Sequence, residues 1–77
     1  PNPFKSDIKL NINSMKEASI VIRISNTNGQ TMLNRTLTLQ PGQNIVVLND
    51  LGMLPTGMHL LEIITEEGKV SQRIIKQ

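Results

Sequence analysis

The side chains able to do chemistry are few and dispersed. His59 is the single imidazole, cysteine is absent, and the carboxylates are Asp7, Glu17, Asp50, Glu62, Glu66 and Glu67. General acid–base catalysis needs groups brought to one reacting atom. Only Glu66 and Glu67 are adjacent, and neighbours in a turn point apart into water. A metal centre needs several converging ligands, which one histidine without thiolates does not supply. Serine and threonine hydroxyls are plentiful, but a hydroxyl nucleophile needs a base, and the sequence around His59 holds no partner to orient it. Gly29, Gly42, Gly57 and Gly68 each fall at a turn, and no two have the spacing of a phosphate loop. The chain therefore reads as a non-enzyme with no catalytic, cofactor-binding or metal-binding residue. His59 reads as a hydrogen-bonded histidine of the core or its rim.

Composition narrows the remaining classes. Seventy-seven residues make one small domain, residues 1–77. A domain of this size buries only about 60% of its unfolded surface, so stability on the order of 5 kcal/mol is expected. Phe4 is the single aromatic residue. Single-stranded nucleic-acid platforms stack bases on exposed rings, and this chain offers none. Eight basic residues against six acidic ones leave a net charge of +2, and the basic residues never form a run. That pattern is a solvated surface rather than a site for nucleic acid or anionic lipid. No run approaches 18 apolar residues, so no membrane insertion is expected. The chain opens at Pro1 without a methionine and carries no signal peptide, which reads as a piece of a longer protein.

The elements are strands. Pro1-Asn2-Pro3 favours an extended start. Ile8, Leu10 and Ile12 alternate with polar residues, and so do Ile20, Ile22 and Ile24, the signature of strands with one buried face. Asn13 to Glu17 reads as a turn between them. Asn26-Thr27-Asn28-Gly29 is a hairpin signal, and Gln30 to Leu39 returns with a mixed pattern that predicts an edge position or a bulge. Pro41-Gly42 turns the chain into Asn44–Leu48, an apolar run expected to be buried. Asn49 to Gly57 is a loop whose leucines should fold back onto one end of the core. Met58–Ile64 reads as a strand buried on both faces, paired through the Glu66-Glu67-Gly68 turn with a closing strand anchored by Val70, Ile74 and Ile75. Six to seven short strands at intervals of about 8–12 residues, with no helical periodicity, predict an all-β antiparallel sandwich of immunoglobulin-like type.

The order of motifs carries a resemblance. Pro1-Asn2-Pro3-Phe4 opens the chain, Ile20–Ile24 runs into Asn28-Gly29-Gln30, and a leucine strand runs into Gly42-Gln43-Asn44. Leu54–Gly57 forms Leu-x-x-Gly, an apolar strand follows, and Arg73-Ile74-Ile75-Lys76 ends the series. This series resembles the type A C-terminal sorting domain of the type IX secretion system of Bacteroidetes-type bacteria, over essentially the whole chain. His59 stands where that family usually has an aromatic residue.

The resemblance implies an export signal. An upstream cargo protein, covalently continuous with this domain, would cross the inner membrane by its own signal. The domain would fold in the periplasm and be recognised by the outer-membrane translocation machinery. A sortase-like protease would commonly remove it, leaving the cargo at the cell surface or secreted. Recognition in the family centres on the C-terminus, which maps onto Lys69, Arg73, Ile74, Ile75, Lys76 and Gln77. An exposed edge strand also permits an edge-strand dimer. The alternative reading is an immunoglobulin-like spacer or adhesion module of a multidomain cell-surface protein.

Overall fold

Alternate residues of a strand point to opposite faces of its sheet, and the isoleucines of the second alternating run decide which face lies inside. Ile20, Ile22 and Ile24 are all at most 1% exposed. The computed structural model describes residues 3–77, so the extended start expected at Pro1 and Asn2 lies outside the described residues. Six strands follow: β1 (Ile8–Ser14), β2 (Ala18–Asn26), β3 (Thr31–Leu39), β4 (Gly42–Leu48), β5 (Gly57–Thr65) and β6 (Gly68–Lys76). They form a four-stranded sheet in the order β3-β2-β5-β6 and a two-stranded sheet of β1 and β4. Every strand pair is antiparallel.

The two sheets share one aliphatic core. Ile8 and Leu48 from the small sheet join Ile20, Ile22, Ile24, Leu61 and Ile74 from the large one. Each fully buried aliphatic side chain contributes about 2 kcal/mol, and this core is what holds so short a chain folded. Leu51 and Leu54 close one end, as expected of the long loop, and both are buried. A single 3-10 turn, Leu51–Met53, positions them. It is tied down by the Leu51 N–H, which donates to the Ser6 carbonyl at 2.9 Å.

The hairpins form where the turn residues place them. The Asn26 side-chain oxygen accepts from the N–H groups of Asn28 and Gln30 at 3.0 and 2.9 Å. Gly29 adopts φ 83°, a conformation that glycine reaches without steric cost. β3 is both an edge strand and bulged, since the register against β2 shifts between Ile24 and Ser25.

Three sequence expectations need correction. Asn44–Leu48 is not buried throughout: Ile45 and Val47 are 61% and 47% exposed, because β4 belongs to a sheet whose outer face has no covering layer. β5 is central but not buried on both faces: His59 and Leu61 on the inner face are enclosed, whereas Met58 on the outer face is 47% exposed. In β6 only Ile74 anchors the strand. Val70 is 68% exposed although it lies on the core-facing side, and Ile75 lies on the outer face.

Candidate protein-recognition site

The residues expected to carry recognition all lie on β6 or directly after it, and strand alternation divides them. Ile74 pairs with His59 across β5 and is completely buried. Lys76 is also buried, at the rim, where its Nζ donates to the Gln77 carbonyl at 2.8 Å. Lys69, Arg73 and Ile75 stand on the opposite, outer face, beside Ile64, Leu60 and Met58 of β5 respectively. The six residues therefore do not form one surface. Ile74 and Lys76 build the fold, and Lys69, Arg73 and Ile75 face away from the core.

The end of β6 is held from its other side. Phe4, buried in the core cluster, forms a parallel bridge with Lys76. Its N–H donates to the Ile75 carbonyl at 2.9 Å, and its carbonyl accepts from the Gln77 N–H at 2.8 Å. Among the described residues, Phe4 thus covers the edge of β6 at its end. Sequence reasoning did not anticipate the bridge, although a single buried-type residue in a polar leader was its signal.

On the outer face of the large sheet, register brings three charged residues together. Arg23 of β2 lies opposite Glu62 of β5, and its Nε donates to Oε1 at 3.1 Å. Lys69 of β6 meets the other carboxylate oxygen, also at 3.1 Å. The Lys69 ammonium, followed by the Arg23 guanidinium, holds the Glu62 carboxyl below the usual carboxylate range, against an opposing effect of burial. The three residues lie far apart in sequence, so no local spacing revealed them. Both carboxylate oxygens are engaged by cations, so the set ties three neighbouring strands together on this face.

His59 is a core residue. It is 3% exposed, and its Nε2 lies 2.8 Å from the Pro55 carbonyl. A carbonyl only accepts, so Nε2 carries a proton. Its Nδ1 is buried without a partner. Glu66 and Glu67 are both exposed, as expected of turn neighbours, and Glu66 pairs with Lys16 at 3.1 Å across a solvent-open contact. Among the described residues no group of three or more His, Cys, Asp or Glu is placed to hold a metal ion. No helix is long and apolar enough to cross a membrane.

Among the described residues the geometry therefore presents a folded β-module whose last strand is part buried and part exposed, with no group of metal-ligand side chains brought together. Comparison with protein families matches residues 1–77, the whole chain, to the secretion system C-terminal sorting domain. The chain belongs to the type IX secretion C-terminal sorting domain family. No curated protein and no solved structure matches it. A sorting domain of this family is a signal for type IX secretion, carried by a cargo protein destined for the cell surface or the exterior. The family is one of signals, not of catalysts.

Proposed function

We propose that the translocation machinery of the outer membrane recognises this sorting domain as a folded module, with residues 1–77 acting as one domain of immunoglobulin-like type. The observation that carries the reading is the position of β6. Its Ile74 is fully buried, and its end is bonded to β5 on one side and Phe4 on the other. Presenting Arg73–Gln77 as a loose tail would cost the burial of Ile74 and Phe4, on the order of 2 kcal/mol each.

The cargo joins ahead of Pro1 and crosses the inner membrane by its own signal. The domain folds in the periplasm, docks at the outer membrane, and a sortase-like protease then removes it. Lys69, Arg73, Ile74, Ile75, Lys76 and Gln77 form the recognition strand, in which Ile74 and Lys76 shape the contact and the outward residues make it. The end of β6 is closed to a further strand in this reading, because Phe4 already occupies its edge beside Ile75.

The test is a reporter fused between a signal peptide and residues 1–77, expressed in a type IX-competent bacterium. Reporter in the medium or on the surface is the expected result, with loss on deleting Ile74–Gln77. Retention of the intact fusion in the periplasm overturns the proposal, and so does export of the deleted form.

A further inference from the structure

The outer face of the four-stranded sheet is less polar than a solvated face needs to be. Met58 and Ile75 are a directly opposed cross-strand pair, each 47% exposed. Leu60 lies next along β5, half-buried, with Arg73 opposite it. The patch sits at the end of the sheet where Phe4 bridges β6.

Charge says what kind of surface fits. Among the described residues, the charged side chains on this face are Arg23, Glu62, Lys69 and Arg73, a balance of +2 that equals the net charge of the whole chain. Both oxygens of Glu62 are engaged, by Arg23 and Lys69. The side chains of the face thus carry a surplus of positive charge, three cations to one carboxylate. A copy of the same face would bring +2 against +2, which disfavours self-association. A lipid surface asks for a basic cluster of four to eight residues, about twice what is present. The remaining match is a protein surface that is apolar at its centre and carboxylate-bearing where it meets Arg73.

We infer that Met58, Leu60, Arg73 and Ile75 form the docking face of this sorting domain for an acidic, apolar-centred protein surface of the export machinery. The inference rests on the sorting function proposed above and narrows it from a strand to one face of that strand. It predicts that outward residues of β5, which precede the C-terminal segment, matter to export as much as Ile75 does.

The reporter fusion tests it with three variants and a matched control. Met58→Ser/Ile75→Ser and Arg73→Glu should each lower export by at least about tenfold, while Arg73→Lys retains most of it. The control, Ile45→Ser/Val47→Ser, removes apolar residues at least as exposed from the outer face of the small sheet and should export normally. Circular dichroism and the thermal midpoint of each purified domain separate a lost contact from a lost fold. If Arg73→Glu unfolds, the serine pair decides alone. Export of the serine pair at the parent level overturns the inference, and so does equal loss in the control. Two further results overturn it in favour of another occupant. One is sedimentation of the purified domain with 3:1 phosphatidylcholine:phosphatidylglycerol vesicles that Arg73→Glu abolishes. The other is self-association by light scattering that the serine pair abolishes. If the parent fusion itself is not exported, it is the sorting function that fails.

Discussion

Gln77 donates its backbone N–H to the carbonyl of Phe4 at 2.8 Å, which closes a parallel bridge in a molecule whose other strand pairs are antiparallel. Through this contact the leading segment of the chain and the last strand become parts of the same end of the sheet. The leading segment also holds the loop above β5, since Ser6 accepts from Leu51.

Phe4→Ala should cost about 3–5 kcal/mol, the usual range for emptying a buried phenylalanine site. That is comparable with the entire stability of so small a domain, about 5 kcal/mol. Urea denaturation should show a large fall in midpoint. Phe4→Leu should retain the fold and still speed hydrogen exchange at the Gln77 amide. Unchanged exchange there would mean that the bridge is not held by Phe4 packing.

Neighbouring isoleucines of β6 should behave oppositely. Ile74→Ala should lose about 2–5 kcal/mol, because it leaves a cavity in the core. Ile75→Ala, on the exposed face, should lose less than about 1 kcal/mol. Equal losses in the two variants would contradict the alternation on which the docking face rests.

Glu62 should supply stability that is sensitive to acid. Its carboxyl is held below the ordinary value by Lys69 and Arg23. Folding therefore favours its ionised form, and the contribution is fully present above the unfolded-state value. It is lost as pH falls through the lower, folded-state value. Below about pH 4.5, the urea midpoint of the parent should fall more steeply than that of Glu62→Gln. Parallel curves for the two proteins would show that Glu62 is not coupled to its neighbours.

His59 should prove to be a packing residue. His59→Phe removes the unpartnered Nδ1 but leaves the Pro55 carbonyl without its donor, so the change in stability should stay within about 1.5 kcal/mol. His59→Ala should cost about 2–4 kcal/mol through the cavity it leaves. Ring nitrogen shifts by NMR should show the proton on Nε2. A proton on Nδ1 alone would contradict the hydrogen bond to Pro55.

Much of the fold was legible because the relevant forces are local. Ile20, Ile22 and Ile24 alternate with Val21 and Arg23, and a period of two has only one efficient burial. Asn26 and Gly29 satisfy a turn by their own side chain and backbone. The apolar run Ile45–Leu48 misled because periodicity cannot tell one covered face from two. Whether Ile45 and Val47 are buried depends on a second layer, and β4 has none on that side. Val70 misled in a related way. It points to the core side of β6, and still lies 68% exposed, because burial also requires something opposite.

The candidate site divides along the same line. Sequence alone showed one imidazole, no thiol and six carboxylates of which only Glu66 and Glu67 are adjacent, so that no catalytic motif is written in local spacing. It also determined the strand pattern and the ordered motifs that resemble a sorting domain. Only the tertiary structure decided how Arg73–Gln77 is partitioned, because that depends on which face of β6 meets the core. It alone joined Arg23, Glu62 and Lys69, which become neighbours through the register of three strands. It alone bound Phe4 to the strand's end. Each of these is a long-range contact, set by which aliphatic surfaces bury one another and by nothing in the residues' immediate sequence.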